Sequence, residues 1–113
     1  MAEKHDLLRA LYEAFNRRDI ERAVSGLHPD VVWANGLEGG TVQGRGAVYD
    51  YWTRQWRQIN PRVEPQRFEG ENDDVVVEVH QVVRDLEGGL LTDRTVHHRF
   101  RFEGGLVKTF DIL

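Results

Sequence analysis

At Asn60-Pro61 the hydrophobic period of this 113-residue chain switches from 3.6 residues to 2 and stays there, and that switch limits the folds open to it more than any other feature. Upstream, Leu7, Leu8, Leu11, Tyr12 and Phe15 recur at helical spacing with Arg9, Glu13 and Arg17 between them, which predicts an amphipathic helix from about Glu3 to Asn16. Asp19 stands as an N-cap before Ile20, Ala23, Val24 and Leu27, a second and shorter helix that His28-Pro29 ends. Val31, Trp33 and Asn35 share one side of a short β-rich run, because side chains alternate along a strand. Five glycines between Gly36 and Gly46 mark an irregular loop or small hairpin. Val48, Tyr51, Trp52, Trp56 and Ile59 then restore the helical period until Asn60-Pro61 stops it.

Downstream, the alternation runs through 62–70, 74–85, 90–103 and 106–113, four successive strands. Gly88-Gly89 and Gly104-Gly105 read as two-residue hairpin turns, since both central positions of a type I′ turn want positive φ. Helices followed by an antiparallel meander mean α+β: one domain over 1–113, with three N-terminal helices packed on one face of a strongly curved, mainly antiparallel sheet. The turns also set the register. If Glu87 pairs with Leu90, Gln81 faces Val96 and Val79 faces His98. If Glu103 pairs with Leu106, Phe100 faces Thr109 and His98 faces Asp111. Both registers put Val77, Val79, Val83, Val96, Phe100 and Phe102 on one apolar face, with Gln81, Arg94, His98 and Asp111 among them. The other face carries Glu78, His80, Thr95, His97, Arg99 and Lys108, and is left to water or a partner chain.

A hydrophobic fraction of 40% supplies a packed core. A formal charge of -4 repels phosphate backbones and anionic headgroups, so neither nucleic acid nor membrane is an expected partner. The lack of cysteine excludes disulfides, thiolate nucleophiles and Cys-ligated zinc. The five histidines show no H-E-x-x-H or H-x-H spacing, and no metal is expected. No apolar run approaches the roughly 18 residues of a membrane span, which makes a cytoplasmic location the simplest expectation.

The helix end Leu11 to Asp19, the run His28 to Trp33, Gly44 to Val48 leading into Tyr51-Trp52, and Phe100 to Phe102 before Gly104-Gly105 together resemble the SnoaL-like branch of the NTF2-like superfamily, which includes polyketide cyclases and ketosteroid isomerase. The resemblance covers essentially the whole chain. It implies a cone-shaped curved sheet closed by helices around a deep apolar pocket, no cofactor, and a homodimer across the outer sheet face. Relatives such as ketosteroid isomerase place an aspartate base near the end of the first strand and a Tyr/Asp oxyanion hole opposite it. Those positions fall here on Asn35, Leu11 and His98, so the isomerase set is absent and steroid isomerisation is not expected.

The candidate catalytic residues are His98 and Asp111. An imidazole and a carboxylate directly opposed across two strands have Cβ atoms about 4.5–5.5 Å apart, close enough for the carboxylate to fix the tautomer and raise the ring's pKa. The alternative for His98 is a satisfied wall histidine with a structural hydrogen bond. Trp33, Asn35, Tyr51, Trp52 and Trp56 are candidates for an aromatic pocket with one orienting amide, or else for ordinary core. Val79 and Phe100 would add apolar wall, while Gln81 and Arg94 would contact a carbonyl or carboxylate unless Arg94 turns to solvent or Asp85. Two functions follow: a cofactor-independent isomerase, cyclase or hydrolase moving a proton or activating water on a small apolar carbonyl-bearing or cyclic molecule, or a ligand-binding or dimerisation domain without chemistry.

Overall fold

The computed structural model describes residues 3–70 and 72–113. Helix α1 spans Glu3–Asn16, α2 Ile20–Ser25 and α3 Arg45–Gln58. The strands are β1 Leu27–Ala34, β2 Thr41–Gln43, β3 Asn60–Glu69, β4 Asp74–Arg84, β5 Leu90–Glu103 and β6 Leu106–Ile112. Helix α1 has the expected bounds, and its apolar stripe is buried at Leu8, Leu11, Tyr12 and Ala14. Asp19 caps α2 by accepting from the Arg22 N–H at 3.4 Å. That helix stops at Gly26, earlier than expected, because Leu27 through Pro29 join β1. Part of the glycine-rich loop condenses into β2, which pairs antiparallel with β1.

The sheet order is β2-β1-β6-β5-β4-β3, with β1 parallel to β6 and the other pairings antiparallel. The sheet is mainly antiparallel, as expected, but the expected strongly curved cone is corrected. The sheet is mixed and open, since edge strands β2 and β3 do not pair with each other. Helix α3 touches β1, β2 and β3, and so lies across the face between the two edges where closure would have to bring them together. Asn16 at the end of α1 exchanges two hydrogen bonds with the backbone of Val63, at 2.7 and 2.9 Å, which covers part of the exposed β3 edge. Arg18, at φ 63, extends the tie by donating to the carbonyls of Phe15 and Pro61.

Two registers differ from expectation, with opposite consequences. Between β4 and β5 the turn is a loop from Asp85 to Gly89 instead of a two-residue turn. The Asp85 carboxylate accepts from the Glu87 and Gly89 N–H groups at 2.9 and 2.8 Å, and this side-chain turn competes successfully with the tight hairpin. Gln81 therefore faces Arg94, and Val77 faces His98. The displacement is by two residues, so every side chain keeps its expected face.

Between β5 and β6 the Gly104-Gly105 turn forms as expected, with φ 61 and 80, and Glu103 faces Leu106. The register then slips by one between Arg101 and Phe102: Phe102 faces Val107 while Arg101 faces Thr109, leaving Lys108 as the extra residue of a bulge. An odd slip exchanges the faces. Phe110 enters the core opposite Phe100, and Asp111 moves to the outer face opposite Arg99. Packing explains the choice, because the Phe110 ring stacks on Trp33 with centroids 4.0 Å apart, whereas the unslipped register would bury a carboxylate in its place.

Candidate functional site

The helices and the inner face of the sheet enclose a cavity of about 320 Å³, within the usual range for a small-molecule site. Its aromatic wall follows from three local patterns. Tyr12 and Phe15 lie on the buried stripe of α1, Tyr51 and Trp52 on that of α3, and Trp33 points inward from β1 by strand alternation. Trp33 meets Trp52 edge-on with centroids 5.2 Å apart, and Phe15 meets Trp52 at 5.5 Å, geometries that hold these rings in place.

His98 projects from β5 and is only 6% exposed. Its Nδ1 lies 2.8 Å from the Tyr12 hydroxyl, with the two ring planes nearly parallel at 7°. Burial pushes the Tyr12 phenol well above its ordinary value, so it keeps its proton. Burial, with a smaller contribution from neighbouring His97, lowers His98 from 6.5 to about 4, so the ring is neutral at pH 7. Among the described residues the Tyr12 hydroxyl has no other acceptor, so its O–H donates to Nδ1 and the ring proton sits on Nε2. Nε2 has no protein partner among the described residues, and His98 lines the cavity.

Of the residues expected at the site, Trp33, Tyr51, Trp52 and Phe100 line the cavity, as do Gln81, Arg94 and His98. Four do not. Asp111 is exposed on the opposite face, so the expected His98–Asp111 pair is not formed, and the ring's pKa falls instead of rising. Asn35 is buried, but its amide serves the following loop: Oδ1 accepts from the Leu37 and Glu38 N–H groups at 3.0 and 2.8 Å, and Nδ2 donates to Glu38. Trp56 stands behind the wall, packed on Phe15 and Trp52, and Val79 is fully buried core. Tyr12 is the addition that sequence reasoning missed. The available signal was a phenol on the apolar stripe of α1, since a buried O–H requires an acceptor. Leu11, which the resemblance matches to the relatives' oxyanion-hole tyrosine, is its immediate neighbour in the chain.

Among the described residues no three His, Cys, Asp or Glu side chains converge as metal ligands. No helix among them is long and apolar enough to cross a membrane.

An open mixed sheet with three helices over a cavity defines a pocket-bearing α+β class. Residues 8–110 match the SnoaL-like domain, and the chain belongs to that family. An NTF2-like protein of unknown function from Burkholderia pseudomallei is 30% identical, with a TM-score of 0.88 over 100% of this chain and 91% of that one. TerC, co-crystallised with polyporic acid, is 27% identical, with a TM-score of 0.86 over 98% and 90% of the two chains. An LEH-like epoxide hydrolase from M. tuberculosis, 17% identical, shares the fold at a TM-score of 0.84, over 99% of this chain and 82% of that one. No curated protein matches the chain.

Proposed function

We propose that this SnoaL-like chain is a cofactor-independent enzyme acting on a small, largely apolar molecule that carries a carbonyl or ring oxygen. The supporting observation is the Tyr12–His98 pair in the cavity wall. A ring held neutral by burial, with Nδ1 occupied by Tyr12, presents Nε2–H as a fixed hydrogen-bond donor. Such a donor stabilises charge developing on a substrate oxygen without needing to reorganise during the reaction. With a pKa of about 4, His98 is a weak base and is not charged at pH 7, so its role is to polarise oxygen as a hydrogen-bond donor rather than to abstract a carbon-bound proton. Isomerisation, ring closure and water addition all develop charge on oxygen in this way. The likeness to TerC supports a small organic guest.

The second function, binding without chemistry, is favoured by the absence of any Asp or Glu among the described residues lining the cavity. One experiment separates the two. The protein is incubated in oxygen-18-labelled water with a panel of cyclic ketones, and exchange of the carbonyl oxygen through its hydrate is followed by mass spectrometry. Enzyme-dependent exchange, reduced about 10²–10³-fold in His98→Ala, is the result expected of an enzyme that has lost an oxyanion donor. Exchange equal to buffer across the panel, or undiminished in His98→Ala, removes the proposed role of His98.

A further inference from the structure

The inner face of β5 changes character along its length. From the mouth inward it presents Thr92, Arg94, Val96, His98 and Phe100, all lining the cavity, with Arg94 exposed and Phe100 fully buried. Gln81 of β4 lies directly opposite Arg94 and also lines the cavity. Arg94 carries the sole formal charge among the described lining residues, since His98 is neutral.

The guanidinium is also unpaired. Among the described residues Arg94 makes no salt bridge and no side-chain hydrogen bond, unlike Arg62, Arg67 and Arg99, which pair with neighbouring carboxylates. Asp85, the acid that sequence reasoning offered it, is occupied by its own loop. Five N–H donors and an adjacent primary amide, with no internal acceptor, form a fork suited to a planar anion.

We infer that the cavity selects an elongated monoanion, an aromatic or alicyclic carboxylate or an acidic enol, with its anionic group on Arg94 and Gln81 at the mouth and its apolar body among the inner rings. Substrate class is inferred for the same site as the proposed enzyme, and the inference rests on that cavity being open to ligand. The four residues from Arg94 to His98 separate their Cα atoms by roughly 13 Å in an extended strand. A ligand that spans that separation is longer than a single ring.

The test uses para-phenylbenzoate and its uncharged amide, para-phenylbenzamide, read by quenching of tryptophan fluorescence, since Trp33 and Trp52 line the cavity. The carboxylate is expected to bind at least about tenfold more tightly than the amide, with a preference that shrinks as salt is added. Arg94→Gln should abolish the preference by weakening the carboxylate far more than the amide, and Arg94→Lys should keep only the part that charge supplies without the fork. Arg94 is exposed, so neither change threatens the fold. Equal binding of both probes to the wild type, or a preference that survives in Arg94→Gln, overturns the anion assignment but leaves the cavity standing. Neither probe binding at its solubility limit overturns the open cavity, and with it this inference.

Discussion

The His98 ring shows how a protein keeps a histidine neutral: it removes water, supplies one donor and places no carboxylate beside it. Tyr12 matters because it satisfies Nδ1 with an O–H and so leaves the remaining ring proton on Nε2. Nitrogen-15 NMR of the ring should show the Nε2–H tautomer at pH 7 and a titration near 4. A titration at the ordinary 6.5 would mean that solvent reaches the ring freely. Tyr12→Phe keeps the packing but leaves Nδ1 without its donor, so stability measured by urea unfolding should fall by about 1–2 kcal/mol. The same variant should raise the ring's pKa, because the lost hydrogen bond favoured the neutral form.

At the scale of elements, the bulge at Lys108 decides which residues of β6 reach the interior. Phe110→Ala should cost about 3–5 kcal/mol in denaturant unfolding, the usual range for truncating a buried phenylalanine. Asp111→Ala should change stability by no more than about 0.5 kcal/mol and leave the His98 titration unmoved, since Asp111 lies exposed on the other face. A large shift of that titration in Asp111→Ala would restore the unslipped register. The β1–β2 connection depends on another side chain. Asn35→Ala strips two backbone N–H groups of their acceptor and should lower stability by about 1–2 kcal/mol, detectable as earlier thermal unfolding.

Over the whole molecule, the buried histidine links stability to pH. The unfolded chain takes up a proton on His98 near pH 6.5, whereas the native protein refuses it until about pH 4. Between those values the unfolded state holds more protons, so this contribution is fully present above 6.5 and is lost as pH falls towards 4. The loss is on the order of 3 kcal/mol. Urea unfolding at a series of pH values should show that decline in the wild type and a shallower one in His98→Phe. Parallel slopes in the two proteins would mean that other groups carry the acid sensitivity. The open mixed sheet also leaves β2 and β3 as edges, of which β3 is partly occupied by Asn16 and Arg18.

Periodicity determined the type and order of the three helices and of every strand but β2, because burying one face of a helix or strand writes a spacing of 3.6 or 2 into the chain, and three residues in a glycine-rich loop are too few to carry it. The same logic identified the inward residues of β4 and β5, and a two-residue error in register left them correct because strand faces repeat every two residues. The tertiary structure decided the rest. Whether Phe110 or Asp111 turns inward depended on competition between a tight hairpin's register and the stacking of an aromatic ring on Trp33, contacts 77 residues apart in sequence. The partner of His98 came from a helix 86 residues away, across a cavity that no local pattern encodes. Openness of the sheet was equally non-local: it depends on where α3 crosses the face and on a parallel β1–β6 pairing between strands distant in the chain. Local spacing specifies which side of each element seeks the core, but only packing settles which residues meet there.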